Sequence, residues 1–503
     1  MIGVDLGTTS TKTIAFSLQG QVISSANRKY PILYPEPGFC EQDPDEILRA
    51  VVSTIREVTD DLKDKDCPPL ALSFSSAMHS LIAVDEAGNP LTNVIIWADT
   101  RSDTYADQIR KSPVGHEMYL QTGTPIHPMS PLCKLAWMKD QQPEIFQKAH
   151  KFISIKEYVF LKFFHQYLVD YSVASATGLF DIRDLRWSEV ALQAAGITAH
   201  RLSEPVSPTH ICKGLSQGWG DTMGLDPQIP WVLGASDGCL ANLSAHAIRP
   251  AFASLTIGTS GAIRVVAAAP AGDAQERVFS YLLTENIYIV GGPINSGGVV
   301  FRWFLDHFAG PEKEEAVRSG TDPYDLLIEK AKSVAPGADH LLFLPYLLGE
   351  RAPFWDAKAK GVYFGVSIRH TRPHFIRALM EGIVFGLYSV GLAVEANTQP
   401  IDVIYAGGGF ARSDFWLQIV ADVFNKPVRV AKSVESSALG AAAMGMYALG
   451  LFKSLTEVER ILPEAREIVP CVEAHETYRH LYAIFAGLYE KLKDDFAKLG
   501  ALE

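Results

Sequence analysis

Cysteine is scarce in this chain of 503 residues, and the six present (Cys40, Cys67, Cys133, Cys212, Cys239, Cys471) show no CxxC spacing. That excludes a cysteine zinc site and a dense disulfide frame, and it fits reduced thiols in a cytoplasm. His475 and His480 flank Glu476, but five residues apart they would not share a helical face as a zinc-protease pair does. A basic excess is missing too. The formal net charge is −12, the opposite of a nucleic-acid footprint. Neither a G-x-x-x-x-G-K-[ST] loop nor a G-x-G-x-x-G fingerprint occurs, which excludes the two commonest glycine-loop nucleotide sites. No apolar run is expected to span a bilayer, and the first residues already read as a strand, so no leader and no membrane are expected.

What is present begins at residue 1. Met1 to Lys12 reads MIGVDLGTTSTK: an apolar run holding one carboxylate, Asp5, then Gly7, then the hydroxyls Thr8, Thr9, Ser10 and Thr11, then Lys12. This predicts a strand, a tight turn and a returning strand from Thr13 to Phe16. Such a turn offers amides and hydroxyls to phosphate oxygens, and Asp5 suits a Mg²⁺ that keeps most of its water. The stretch LTIGTSG, Leu255 to Gly261, repeats the pattern, with Gly258-Thr259-Ser260 falling on Gly7-Thr8-Thr9 and Thr256 on Asp5. A repeat on this scale predicts a duplicated α/β domain with one phosphate-holding hairpin in each half. The length fits two domains of roughly 250 residues, divided here as 1–247 and 248–503.

Between and beyond the hairpins the chain places other chemistry-bearing residues at the carboxyl ends of expected strands, where α/β folds put ligands. Leu70 to Phe74 leads to Met78 and His79, and Val94 to Trp97 leads to Asp99 and Arg101. Lys134 reads as a solvated lysine one turn from Trp137, Ser154 to Gln166 as a helix containing Lys156, and Asp170 to Gly178 as a hydroxyl-rich loop. Pro230 to Leu233 is an expected strand ahead of Asp237, which sits among small residues at a helix start. There a carboxylate either caps the helix or serves as a general base. Gly297 and Gly298 head a helix suited to close approach by phosphate. Val403 to Tyr405, Ala406-Gly407-Gly408-Gly409 and Asp414 to Phe424 form a strand, glycine turn and helix of nucleotide-site type.

Taken together, the twin Gly-Thr hairpins, Asp237 and the late triple glycine resemble the FGGY carbohydrate kinases nearly end to end. MSPLCKLAWMKDQ (Met129 to Gln141) is similar to the first signature of that family, and GVYFGV (Gly361 to Val366) with HFIRALME to the second, Leu379 being a mild departure. TGTPIHPMSP, SIKEY, DYSVASATGLF, GASDGCLANL and GGPINSGG resemble the branch acting on gluconate, as does Gly238 where many family members carry an amide.

The resemblance implies two actin-like (ribonuclease H-like) ATPase domains about a cleft, and transfer of the ATP γ-phosphoryl to a sugar-acid hydroxyl. It implies Asp237 as the base, Met78 and His79 as sugar contacts, and Asp5 beside Mg²⁺. Thr8, Thr9 and Ser10, with Lys12, would form one phosphate loop. Gly258, Thr259 and Ser260, with Gly298, would form the second, and Gly407, Gly408, Gly409 and Phe410 the adenosine site. Lys156, Arg101 and Arg351, in that order, are the candidates for a substrate carboxylate, because carboxylates want such partners. Its partners are then ATP and a small sugar acid, in a cytoplasmic enzyme. A homodimer is allowed, the sequence itself fixing no oligomeric state. The alternatives are an FGGY kinase for xylulose or glycerol, an actin-like ATPase with no phosphorylated substrate, and a sugar-binding regulator, which would need broken phosphate loops.

Overall fold

The computed structural model describes residues 1–431 and 436–502. They form two compact units. One gathers Met1–Ile248, Val266–Val290 and Glu435–Leu462; the other gathers Arg249–Val265, Gly291–Val434 and Pro463–Glu503.

The first unit is organised on a six-stranded sheet. Its order is Ile211–Cys212, Trp231–Ser236, Leu72–Ser76, Ile2–Leu6, Ser10–Phe16 and Val22–Lys29. Ile2–Leu6 is antiparallel to Ser10–Phe16 and parallel to Leu72–Ser76, which is in turn parallel to Trp231–Ser236. The three parallel strands are buried along almost their whole length because both their faces are covered. On one face lies the helix Pro44–Asp64, started by Asp43, whose carboxylate accepts the amides of Asp45 and Glu46 at 2.8 and 3.1 Å. Thr13 and Thr54 tie it to the sheet with a 2.8 Å hydrogen bond. Trp231 stacks on Phe74 with centroids 5.1 Å apart, and Phe160, Phe163 and Phe164 meet its edges. The opposite face is covered by a helix from far along the chain, Ser436–Ala448. It packs on the first strand so closely that a Cβ at Gly3 would overlap the Ala438 carbonyl.

The second unit repeats this pairing scheme. Five successive strands of its seven-stranded sheet run Gly261–Ala267, Phe252–Ile257, Val403–Gly407, Val428–Ala431 and Ala465–Ile468. The first pair is antiparallel, the next two are parallel and the last is antiparallel. This is the sequence of directions found from Ser10–Phe16 across to Ile211–Cys212 in the first unit. The duplication expected from two heptapeptides therefore extends to the topology of both sheets. The hairpin turns differ in length by one residue. Gly7 donates its amide to the Ser10 carbonyl at 3.0 Å, whereas Gly258 reaches the Ser260 carbonyl at 2.8 Å.

Three expectations need correction. Asp170 to Gly178 is a buried helical turn, Tyr171–Ser175, capped by Asp170 through the Val173 amide at 3.0 Å, and not a lining loop. Lys134, expected in solvent, is fully buried. The helix Arg372–Asn397 does contain a window long and apolar enough to cross a membrane, but 78% of that window is buried, so it reads as a core helix.

Candidate active site

In a parallel sheet the carboxyl ends of neighbouring strands open on one edge. In the first unit that edge carries Gly7-Thr8-Thr9, Met78-His79 and Asp237. Leu6 is in register with Ser76, and Ser76 with Ser236, so Gly7, Ala77 and Asp237 each come next at the same level. The structure thus brings the expected first phosphate turn, sugar contacts and base onto adjacent strand ends.

The turn is braced from behind. Tyr30 donates its hydroxyl to the Gly7 carbonyl at 2.6 Å, Gln42 its side-chain amide to the Thr8 carbonyl at 2.6 Å, and Trp97 its indole N–H to Thr8 Oγ1 at 2.9 Å. A cavity of about 10 Å³ lies there, bounded by Leu6, Thr8, Tyr30, Met78 and Trp97. It has room for roughly one water and none for a sugar. Thr9 is exposed. Asp5 and Lys12 stand opposite each other across the hairpin and so share a face of the sheet. Asp5 supplies one hard oxygen donor. Among the described residues no group of three His, Cys, Asp or Glu side chains could cage a metal. That donor set fits Mg²⁺ arriving on phosphate oxygens, and does not fit a resident transition metal.

Asp237 is half-buried at the first position of the helix Asp237–Ser244, and its carboxylate accepts the Gly238 amide at 2.7 Å. His79 adopts φ +66° and is 8% exposed. Its Nδ1 lies 2.7 Å from the Ala176 carbonyl, which can only accept, so Nδ1 carries the proton. The backbone of His79 is held by Lys134, whose Nζ donates to the carbonyls of His79, Ile96 and Ile95 at 2.6, 2.9 and 3.2 Å. Burial pulls the Lys134 ammonium down to about 7, against the opposing pull of Asp99.

The three candidates for a substrate carboxylate are engaged elsewhere. Lys156 is 2% exposed, pairs with Asp170 at 2.6 Å and donates to the Leu233 and Ala235 carbonyls at 3.2 and 3.1 Å. Arg101 pairs with Asp99 at 2.8 Å and Glu41 at 2.6 Å, its guanidinium stacked 3.7 Å from the Phe39 ring centroid. Arg351 donates to Asn295 Oδ1 at 2.8 Å and the Ile294 carbonyl at 3.2 Å. An ammonium holding one carboxylate and two carbonyls has no donor left for a substrate. Charge and a place beside expected site loops marked these residues in the sequence; apart from Asp99, two residues before Arg101, their partners lie too far along the chain to be read there.

In the second unit a pocket of about 830 Å³ opens on the equivalent strand ends. Gly258 and Thr259 line it from the hairpin, Gly409 and Phe410 from the turn after Val403–Gly407, and Gly298 from a helix start. These expected residues are brought together; Gly407 and Gly408 shape the turn without lining the pocket. Gly408 has φ +94°, and a Cβ there would stand 2.6 Å from the Ile257 carbonyl, so the turn fits only glycine. Gly298 plays a different part from the one expected. Its amide donates to the Gly258 carbonyl at 2.7 Å, and Val299 donates to the Thr259 carbonyl at 3.0 Å, so these amides fix the hairpin turn instead of meeting phosphate. A Cβ at Gly298 would come 2.6 Å from the Gly258 oxygen.

Apart from Phe410, the apolar wall was missed in the sequence. Phe301 lies 5.6 Å from both Tyr324 and Trp416, and Phe410 lies 6.2 Å from Trp416. These rings line the same pocket as the glycine turns, flat apolar surface of the kind a purine needs. Asp322-Pro323 does announce a helix start, but nothing local says that Tyr324 lines a pocket with Gly409.

Comparisons with known proteins identify a family. Residues 1–244 match the N-terminal domain of the FGGY family of carbohydrate kinases, and residues 253–449 match its C-terminal domain. A gluconokinase of Bacillus licheniformis is 46% identical over 99% of this chain and 97% of its own. Among solved structures, a gluconate kinase from Lactobacillus acidophilus is 33% identical with a TM-score of 0.93, covering 99% of both chains. A ligand-bound xylulose kinase from the same organism is 34% identical, also with a TM-score of 0.93 and 99% coverage of both chains.

Proposed function

The chain belongs to the FGGY family of carbohydrate kinases, with the two-domain, actin-like fold of that family, and from this we propose that it phosphorylates gluconate at the expense of ATP. The observation that carries the choice of substrate is the 46% identity, across essentially the whole chain, to a gluconokinase. Gly238, directly after Asp237, supports it, because it leaves no side-chain amide there for a ketose.

In this reading the acceptor half of the reaction belongs to the first unit and the donor half to the second. The pocket lined by Phe301, Tyr324, Phe410 and Trp416 takes the adenosine, with Gly258 and Thr259 toward its phosphates. The turn Gly7 to Ser10, with Lys12 nearby, contributes amides, hydroxyls and one positive charge to the phosphoryl group in transit. Asp5 would hold Mg²⁺ through water, and the ion would supply positive charge against the phosphates. Met78 and His79 meet the sugar. Asp237 accepts the proton of the terminal hydroxyl as the new O–P bond forms and the bond from the γ-phosphorus to the bridging oxygen breaks, releasing ADP. Such transfers gain most of their rate from alignment and charge stabilisation, so braced turns are what the reaction demands. A cytoplasmic enzyme is part of the same reading, ATP and reduced thiols being available together there.

A second reading, phosphorylation of xylulose, is favoured by the 34% identity and equal TM-score of the xylulose kinase structure. Coupled ADP detection with gluconate, xylulose and glycerol separates the two. We expect kcat/KM for gluconate to exceed the others by at least about 100-fold, as a site built around polar groups discriminates. Preference for xylulose or glycerol overturns the assignment.

A further inference from the structure

The strand that delivers Asp237 is irregular just before it does so. Pairing between Trp231–Ser236 and Leu72–Ser76 shifts register between Val232 and Ala235. Gly234, at the shift, has φ +68°, and a Cβ there would overlap the Phe74 carbonyl. A bulge of this kind turns carbonyls out of the ladder and re-aims the side chains beyond it. Two buried groups take up the irregular segment. Lys156 Nζ donates to the carbonyls of Leu233 and Ala235. Ser172 Oγ accepts the Ser236 amide at 3.1 Å and bonds the Ser236 hydroxyl at 2.9 Å. The two are joined by Asp170, which pairs with Lys156 through one oxygen and caps the helix carrying Ser172 through the other. Every residue from Leu233 to Ser236 except Gly234 is thus tied to this cluster, and Gly234 donates its amide to the Pro208 carbonyl at 2.9 Å.

We infer that Lys156, Asp170 and Ser172 are positioning residues that aim the Asp237 carboxylate, an inference resting on the reading of Asp237 as the base. A buried ion pair is weak evidence for stability, since apolar replacements of similar volume often serve as well. Here it stands against the one bulged strand end that carries the acid. Misplacement of a reacting group by about 1 Å costs on the order of 10²-fold in rate.

The test compares the full-length enzyme with K156M/D170N, S172A, D237N and the combination of S172A with D237N. K156M/D170N removes both charges together, so no buried ion is stranded, and S172A removes one hydroxyl and keeps the fold if the pair does not. We expect kcat per folded molecule to fall about 100-fold in K156M/D170N and roughly 10-fold in S172A. KM for both gluconate and ATP should stay within about threefold, and S172A/D237N should be no slower than D237N. A structural role alone would lower the folded fraction and leave kcat per active molecule unchanged, which overturns the inference. A raised gluconate KM with normal kcat also overturns it, because Lys156 would then meet substrate. If D237N retains normal turnover, the base assignment itself fails. Loss in D237N with wild-type kcat in the other variants leaves that assignment standing and removes only the positioning role.

Discussion

The ammonium of Lys134 lies 2.6 Å from the carbonyl oxygen of His79. It also holds the carbonyls of Ile95 and Ile96, at the end of the next segment, so one side chain ties together two strand ends at the edge where the acceptor is expected. The cost of this arrangement is a desolvated charge.

That cost gives stability a pH signature. Burial lowers the Lys134 pKa from 10.5 to about 7 in the folded protein. Below pH 7 both folded and unfolded chains hold the proton, and the penalty is fully present. Between about 7 and 10.5 the unfolded chain binds a proton that the folded one has released, so stability rises with pH, by at most about 1.4 kcal/mol per pH unit from this group. K134M should lose about 1–3 kcal/mol, from unsatisfied buried carbonyls, and should lack this rise. Urea unfolding of both proteins from pH 6.5 to 9 measures it: the gap should widen with pH, and a constant gap counts against the shift.

Glycines 258 and 408 should fail in different ways. Nothing lies within 4 Å of a Cβ built on Gly258, which lines the nucleotide pocket, whereas a Cβ on Gly408 meets the Ile257 carbonyl at positive φ. Gly258→Ala should therefore keep its melting temperature within about 2 °C and lose nucleotide affinity. Gly408→Ala should be destabilised by more than about 1 kcal/mol, as residues forced into such backbone are. Thermal shift with and without ATP separates the two effects.

Asp237→Asn keeps the shape of the side chain and removes its basicity. Turnover should fall by about 10²–10⁴, the usual contribution of a general base, with ATP binding unchanged. Steady-state kinetics beside calorimetric ATP titration reads both quantities.

Arg377 and Glu381, from HFIRALME, form a buried pair at 2.7 Å on the core helix Arg372–Asn397, with Tyr478 bonded to both. Burial raises the Glu381 pKa despite its partner. Arg377→Leu strands that carboxyl and should cost about 3–5 kcal/mol, whereas R377L with E381L should recover much of it. Equal losses in the single and double variants, by chemical denaturation, would show the arginine to act independently of the glutamate.

The two Gly-Thr turns were legible because a hairpin closes within a few residues: Gly7 bonds Ser10, and Gly258 bonds Ser260. Alternation, glycine and hydroxyls are sufficient signals at that range. For the same reason the helix Asp414–Phe424 could be read from the sequence, and the start of Gly298–Phe308 was marked by its glycines. By itself, then, the sequence determined local geometry, the duplication and the family.

Tertiary structure alone decided what the charged and aromatic side chains do. Lys156 meets carbonyls 77 and 79 residues away, and Arg101 meets Glu41 across 60 residues. A cation carries no mark of whether it will find a substrate or a buried carboxylate. Phe301, Tyr324 and Trp416 come from three helices and form one wall only once those helices pack. The physical reason is range. Hydrogen bonds within a turn are fixed by the residues that make it, whereas burial, and with it the sense of a charge or a ring, is set by parts of the chain that meet only in the folded state.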